Sequence, residues 1–330
     1  MNNLFRRHAI RALAAPALCL ASLLAGSALA QSPYPDKAIR MVIAFPPGGP
    51  TDLVARVLAQ KLTEQMGQSV VVDNRPGANG NIAAEAVAKA PADGYTLFYN
   101  TSAVTLSPAL YKKLGYDVRA DFAPVALTAV IPLVLAVHPS LPVNTVQEFL
   151  AYVKANPDKL TYGSAGNGNI THLGAFMLLQ DKGLSAVHAP YKGSAPALTD
   201  LVGGQTQFTT DSINSSLPFI KDKRLRALAV TSLKRTSVLP DVPTLNETVM
   251  PGFEVGAWQG LLVPAKTPPD VIRRLNAEVL KALGSADVRA RLAVQGAEPL
   301  GSTPAEYGSY IASELDRWAR VVKATGASLE

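Results

Sequence analysis

The chain has 330 residues, which is enough for two domains of ordinary size, each with its own core. Its formal net charge is +6, but no basic run is interleaved with aromatic residues, and this argues against nucleic acid as a partner. The single cysteine, Cys19, lies in the first 30 residues, so disulfides, thiol chemistry and cysteine-bound metals are excluded from the rest of the chain.

The first 30 residues are typical of a secretory signal peptide. A region with three arginines precedes an apolar region, and Ala28-Leu29-Ala30 supplies the small residues of a cleavage site. We predict cleavage after Ala30 and export to the periplasm, by the general route or, because of the Arg6-Arg7 pair, by the twin-arginine route. The mature chain then carries 28 basic and 25 acidic residues, a net charge of +3.

Strand-like and helix-like segments alternate in the first part of the mature chain. Residues 39–45 predict a buried strand, and apolar residues at helical spacing predict a helix over 51–66 that Gly67 ends. Further strands are predicted at 70–72 and 95–99, with a short alanine-rich helix between them. This alternation predicts parallel β-α-β units.

The same alternation returns after two predicted strands at 125–130 and 133–137. A proline-rich segment at 239–244 indicates a crossing linker, and two strong helices follow, the second with a capping box at Thr303 and Glu306. We predict one lobe from residues 31–130 plus 251–330 and a second from 131–250. Two crossings between the lobes would form a hinge that closes over a ligand.

The first glycine-rich loop, Phe45–Asp52, lies between a predicted strand and a predicted helix. Gly48 and Gly49 allow the backbone to approach a ligand, Thr51 offers a hydroxyl, and Asp52 is expected to hold the loop through backbone N–H bonds. The alternative is an ordinary strand-to-helix turn in which Thr51 caps the helix.

The second glycine-rich loop, Ser164–Thr171, also follows a predicted strand and precedes a predicted helix. It is rich in hydroxyl and amide side chains and contains Gly166 and Gly168. In open α/β sheets, ligands bind beyond the carboxyl ends of the strands, and helix N-termini favour anions. The two loops together therefore predict a cleft for a small anion.

A third segment, Pro190–Pro196, occupies the same position between a strand and a helix. Tyr191 offers a hydrogen bond and Lys192 a positive charge for a carboxylate, although a lysine on a turn is usually only solvated. Asp211, after a later strand, either lines the cleft or caps the helix that begins near Ile213.

Sequence motifs of catalysis are missing. The chain has no phosphate-binding, dinucleotide-binding or zinc-protease motif, and Tyr162 stands where the nucleophile motif around Ser164 would need glycine. The three histidines of the mature chain, His138, His172 and His188, show no metal-ligand spacing, and we expect a structural role for His172. We therefore predict no catalytic residues, no metal site and no cofactor.

A series of short motifs runs through the whole mature chain: Tyr34-Pro35, Phe45–Asp52, Asn74–Ala78, Asp93–Leu97, Ser164–Gly168, His172-Leu173, Pro190–Gly193, Asp200–Gly204 and Leu239–Thr244. In this order and spacing they resemble the Bug/TctC family, the extracytoplasmic solute receptors of tripartite tricarboxylate transporters. The resemblance implies a type II periplasmic binding-protein fold, which is an α/β fold with two lobes, a ligand cleft between them and two crossing segments.

The resemblance also implies a carboxylate held between the two loops, partly through ordered waters. Together with the loop analysis it gives the following predicted ligand-binding residues: Pro47, Gly48, Gly49, Thr51, Asp52, Thr101, Ser102, Ser164, Gly166, Asn167, Asn169, Thr171, Tyr191, Gly193 and Asp211. Members of the family often carry serine where this chain has Asn169, so the identity of the carboxylate stays open.

The implied function is that of a monomeric periplasmic receptor that delivers a small carboxylate to membrane transporter subunits. Two alternatives share the fold or the cleft. The closed receptor would contact a membrane sensor kinase in a signalling role, or the protein would be a secreted hydrolase, against which the missing nucleophile–base arrangement argues. A scaffold without a ligand fits the two polar glycine-rich loops least.

Overall fold

A computed structural model describes residues 34–329 of the chain. The predicted signal peptide, residues 1–30, lies outside the described residues, and residues 37–329 belong to one compact unit. The strands are β1 Ile39–Ile43, β2 Val70–Asn74, β3 Thr96–Thr101, β4 Phe122–Val137, β5 Thr161–Ser164, β6 Val187–Pro190, β7 Phe208–Ser212, β8 Arg226–Val230, β9 Gly256–Pro264 and β10 Glu298–Pro299.

The α-helices alternate with these strands, as the sequence pattern predicted. They are α1 Pro50–Met66, α2 Asn81–Ala88, α3 Ala103–Leu110, α4 Val146–Ala155, α5 Ile170–Asp181, α6 Ser194–Val202, α7 Ile213–Lys221, α8 Leu245–Thr248, α9 Pro269–Gly284, α10 Ala286–Val294 and α11 Pro304–Thr325. None of the described helices is long and apolar enough to cross a bilayer.

The strands pair in the order β2-β1-β3-β9-β4-β7-β5-β6, with β8 and β10 also paired to β4. β1 is parallel to β2 and β3, and β5 is parallel to β6 and β7, so the prediction of parallel β-α-β units is confirmed. β9 runs antiparallel to both β3 and β4. Each of the helices α1, α3, α5, α6 and α7 follows the carboxyl end of a strand after a connection of at most six residues.

The prediction of two strands at 125–130 and 133–137 is wrong, because one strand, β4, covers both. Its first part, up to Pro132, pairs with β9, and its second part, from Leu133, pairs with β7 and β8. Proline cannot donate to a ladder and is normally confined to edge strands, strand starts and bulges. Here Pro132 lies where β4 changes partners, so the missing N–H is tolerated without ending the strand.

Two clusters of buried apolar side chains form most of the core. One contains Phe149 and Phe208 and the other contains Phe98 and Trp258. The C-terminal helix α11 contributes to both, with Tyr307 in one cluster and Trp318 in the other. Its N-terminus has the predicted capping box, in which Thr303 and Glu306 satisfy each other's backbone N–H groups.

Candidate functional site

A cavity of about 650 Å³ opens at the carboxyl ends of the parallel strands. Its lining includes the first turns of five helices, α1, α3, α5, α6 and α7. The first N–H groups of a helix have no partner within the helix and carry the positive end of its dipole. Five such ends around one cavity create a strongly anion-receptive space.

The charge of the lining points the same way. In the described part of the chain, Lys192 is the only ionisable side chain among the residues that line the cavity. The other lining groups are hydroxyls, amides, backbone and apolar surface, including Leu106, Ile131 and Phe219. An anionic ligand therefore meets helix N-termini and one ammonium group, and none of the described lining residues carries a carboxylate.

The first loop is held by Asp52, as predicted. Its carboxylate is buried and accepts hydrogen bonds from the Gly48 N–H at 2.9 Å, from Arg56 Nε at 2.8 Å and from Asn74 Nδ2 at 2.9 Å. Burial alone would raise the pKa of Asp52, but the hydrogen bonds from Arg56, Gly48 and Asn74 outweigh it and hold that pKa below its usual value. Asp52 is therefore an ionised brace for the loop.

The idea that Thr51 caps the first helix is wrong. The N-cap is Gly49, and Pro50 takes the first helical position, where its missing N–H leaves no bond unmade. Thr51 thus lies inside the first turn, and it lines the cavity. Its hydroxyl makes no hydrogen bond with any residue of the segment 34–329, so it is free to meet a ligand.

The second loop is held by neutral groups. Asn169 is the N-cap of α5, and its Oδ1 accepts hydrogen bonds from the Thr171 N–H at 3.1 Å and the Thr171 hydroxyl at 3.2 Å. The Thr171 hydroxyl in turn accepts from the Ala165 N–H at 2.8 Å, and Ser164 Oγ accepts from the Gly166 N–H at 3.2 Å. Most polar side chains of this loop therefore act on the loop itself.

A pair of stacked histidines supports the second loop through hydrogen bonds to Gly168 and Ser164. The rings of His172 and His188 are 3.8 Å apart and nearly parallel, at 2°. His172 Nδ1 accepts a hydrogen bond from the Gly168 N–H at 3.1 Å, so the expected structural role of His172 is confirmed. The pKa of each histidine is lowered to about 4, by burial in both cases and, for His172, also by the neighbouring His188. Both rings are neutral at pH 7.

Ser164 Oγ lies 2.7 Å from His188 Nε2, a pairing that sequence spacing did not reveal. The expectation that no serine–histidine arrangement exists is therefore corrected. Ser164 is completely buried, is not among the cavity-lining residues, and also hydrogen bonds to the backbone of Gly166. The pair braces the loop and does not present a nucleophile to the cavity.

The structure brings nine of the predicted ligand-binding residues to the cavity lining: Pro47, Gly48, Gly49, Thr51, Thr101, Ser102, Asn169, Thr171 and Gly193. The other six lie outside the lining: Asp52, Ser164, Gly166, Asn167, Tyr191 and Asp211. Tyr191 instead donates a hydrogen bond from its hydroxyl to Asp200 at 2.7 Å.

Asp211 lies one layer behind the cavity. It is fully buried, and its Oδ1 accepts hydrogen bonds from Ser194 Oγ at 2.7 Å and the Ser212 N–H at 2.6 Å. Burial raises the pKa of Asp211 to about 6, against the lowering effect of these two bonds. The N-cap of α7 is Ser212, so the alternative that Asp211 caps this helix is also wrong.

Sequence reasoning missed several lining residues. Ser194, Ser212 and Ser215 belong to the starts of α6 and α7, and their position after a strand was a signal that could have found them. Gln259 and Asn79 line the cavity too, but no motif marks them. Among the described residues, no group of three or more histidine, aspartate or glutamate side chains is arranged to hold a metal.

Comparison with known proteins identifies the family. The model of the "Tripartite tricarboxylate transporter family receptor" matches residues 54–327 of this chain. The chain belongs to this receptor family. Protein BugT of Bordetella pertussis is 39% identical over 299 residues, which are 90% of this chain and 92% of BugT. The resemblance that the motifs indicated is therefore confirmed.

Solved structures of relatives show the same fold. Rpa4515 of R. palustris, solved with adipate, is 39% identical with a TM-score of 0.82, and the match covers 90% of this chain and all of that one. MatC of Rhodopseudomonas palustris, solved with bound malate, is 35% identical with a TM-score of 0.76, covering 88% and 100%. The predicted α/β periplasmic binding-protein fold is confirmed, and the family consists of periplasmic solute-binding receptors.

Proposed function

We propose that this chain captures a small organic carboxylate in the described cavity and delivers it to a membrane transporter of the tripartite tricarboxylate type. The observation that carries the proposal is the convergence of five helix N-termini on a cavity where Lys192 is the single ionisable lining residue within 34–329. Such a site stabilises negative charge, and its described lining contains no histidine or carboxylate that could act as a base for a nucleophile. The bound adipate and malate of two relatives support a carboxylate as the ligand class.

The proposed contacts divide by where the free donors lie. Thr51 would contact the ligand from the first turn of α1, and Thr101 and Ser102 from the end of β3 and the residue after it. Lys192 and Gly193 would contact it from the loop that follows β6. The predicted residues outside the lining would act by holding these loops in place. Asp52 and Ser164 are the clearest cases, because each accepts a backbone N–H of its own loop.

Lobe closure is the proposed mechanism. The predicted lobes, 31–130 plus 251–330 and 131–250, would meet where β4 changes partners near Pro132 and where β9 begins at Gly256. A ligand shifts such an equilibrium only by binding the closed state more tightly than the open one. The closed form would then be recognised by transporter subunits. Cleavage after Ala30 and a monomeric state are part of the proposal.

The hydrolase alternative has little support from the geometry. Ser164 is buried at the start of the second loop and His188 is half-buried. The neutral His188 has Ser164 as the partner of its Nε2, and its ring stacks on His172. A serine nucleophile would need to reach a substrate carbonyl in the cavity. We therefore propose binding without covalent chemistry, cofactor or metal.

A thermal-shift experiment tests the proposal directly. The mature chain, residues 31–330, is unfolded and refolded to remove carried ligand, and then titrated with malate, C4–C8 diacids, their monoacids and the matching neutral amides. A ligand that binds only the native state at 100 times its Kd adds about 2.7 kcal/mol to stability. We expect a higher Tm with at least one acid and no change with its amide.

The variant Lys192→Gln and the control variant Lys154→Gln sharpen this test. Lys192 lines the cavity, whereas Lys154 is exposed on α4, away from it. We expect weaker acid binding in the first variant and unchanged binding in the second. A correctly folded protein that responds to none of the acids, or that responds equally to acid and amide, would contradict the proposed function.

A further inference from the structure

Gln259 presents a polar side chain to the cavity from the middle of the sheet. It lies on β9, where side chains alternate between the two faces. Trp258 points to helix α11, since its Nε1 donates to Glu314 at 3.0 Å. Gln259 and Ala257 therefore share the opposite face, and both line the cavity. Gln259 is 0% exposed.

Two neighbouring hydroxyls bond to Gln259, and one of them, that of Tyr99, orients its side-chain amide. The Thr128 hydroxyl donates to the backbone carbonyl of Gln259 at 3.0 Å, and the Tyr99 hydroxyl donates to Gln259 Oε1 at 2.9 Å. With Oε1 occupied, the amide nitrogen faces away from Tyr99. Gln259 Nε2 is buried and has no hydrogen-bond partner among the described residues.

A buried amide donor without a partner costs free energy that a bound acceptor would return. Asn79 Nδ2 is also buried and unpartnered, but Asn79 borders a separate space of about 10 Å³ as well as the cavity. The Asn79 amide can therefore point into either of the two spaces. Gln259 has a fixed orientation, and this is the stronger observation.

We propose that Gln259 Nε2 is a specificity-determining donor for a second oxygen acceptor on the ligand, a carboxylate or carbonyl remote from the carboxylate that the helix N-termini bind. This inference rests on the proposed function. The preferred ligand is then an acid with an acceptor at its far end, and a monoacid of the same length leaves the Gln259 donor unpaired. Tyr99 is the positioning residue that keeps Nε2, and not Oε1, toward the ligand.

Isothermal titration calorimetry on the refolded mature protein tests this. The probes are the tightest-binding diacid of the C4–C8 series, the monoacid of equal length, and the ω-amino acid of equal length. We expect the wild-type protein to bind the diacid at least 10-fold more tightly than the monoacid. Gln259→Met should abolish this ratio while leaving monoacid affinity within about 2-fold, because only the far contact is lost.

Two further variants keep the test decisive. Gln259→Glu preserves the acceptor for Tyr99 and replaces the free donor by a carboxylate oxygen, so it should lose the diacid and gain affinity for the ω-amino acid at least 5-fold. Gln205→Glu, at an exposed position outside the cavity, should change neither ratio. In the Gln259→Met variant the Tyr99 hydroxyl still has Thr128 Oγ1, 3.0 Å away, as a hydrogen-bond partner. The substitution therefore leaves no buried Tyr99 hydroxyl unpaired, and we expect the variant to fold.

Each outcome decides between defined alternatives. Equal wild-type binding of diacid and monoacid, a ratio that survives in Gln259→Met, or a wild-type preference for the ω-amino acid would overturn the role of Gln259 and leave the proposed function intact. A wild-type protein that binds none of the acids would overturn the proposed function itself. Loss of the diacid preference together with the gain in Gln259→Glu supports the inference.

Discussion

The two glycine-rich loops offer helix N-termini to the same cavity, yet different chemistry holds each of them. The first is braced by the ionised carboxylate of Asp52, which binds Gly48, Arg56 and Asn74. The second is braced by neutral hydroxyl, amide and imidazole groups, among them Asn169 and His172. Loops that look alike in sequence are therefore expected to differ in how much stability is lost when one bracing group is removed. They should also differ in how their stability changes at low pH.

The largest expected effect is on the first loop. Asp52→Ala should lower the free energy of unfolding by about 3 kcal/mol, because it leaves the Gly48 N–H and the Arg56 and Asn74 side chains without their common buried acceptor. Urea unfolding at pH 7 measures this. Asp241→Ala, in an exposed turn, is the matched control and should be nearly neutral. A loss below 1 kcal/mol for Asp52→Ala would show that the brace is dispensable.

The second largest expected effect is a loss of stability at low pH, caused by the histidines that support the second loop. The pKa of His188 and that of His172 are about 4 in the folded protein, against 6.5 for an unperturbed histidine. Between these values the unfolded chain binds protons that the native chain does not, so stability falls as pH drops below 6.5. For His188 alone we expect a loss of about 2 kcal/mol by pH 4.5.

The variant His188→Gln separates this effect from other titrations. Glutamine can still hydrogen bond to Ser164 but does not titrate, so the variant should lose about 2 kcal/mol less than the wild type between pH 6.5 and 4.5. Urea unfolding at both pH values measures the difference. Parallel stability curves for the two proteins would contradict the histidine assignment. The Asp52 brace, with its lowered pKa, should fail only at lower pH.

A smaller effect is expected at the neutral cap of the second loop. Asn169→Ala removes the acceptor for the Thr171 N–H and hydroxyl and should cost about 1 kcal/mol, the usual value for an N-cap. Asn169→Ser or Asn169→Asp should restore most of it. The comparison with Asp52→Ala is then direct, and equal losses in the two loops would remove the distinction drawn between charged and neutral braces.

The smallest effect concerns Asp211 and has the opposite sign. Its pKa is raised by burial to about 6, from 3.8, so the native state holds a proton that the unfolded chain releases between these values, and stability is lost as pH rises through 6. Asp211→Asn should therefore stabilise the protein by up to about 1 kcal/mol at pH 8 and by less at pH 4. Thermal unfolding at both pH values checks this, and a destabilised variant at pH 8 would refute it.

The candidate site shows how much can be predicted from local sequence patterns. The sequence predicted both glycine-rich loops, the bracing role of Asp52 and nine residues that line the cavity, because a strand followed by glycines and a helix start is a local pattern. It assigned Thr51 as a possible cap, whereas Pro50 opens the helix and leaves the Thr51 hydroxyl in the cavity. The lobe boundaries stay a prediction.

The sequence by itself determined the α/β alternation, the capping box at Thr303 and Glu306, and the family. Periodicity, caps and each short motif depend only on residues that are close together in the chain. Only the tertiary structure joined His172 to His188, or set Tyr99 against Gln259, 160 residues away. It also showed that the two strands predicted on either side of Pro132 are a single strand. These features depend on which strands pair and which faces are buried, and the burial that shifts the histidine and Asp211 pKa values exists only once the chain has folded.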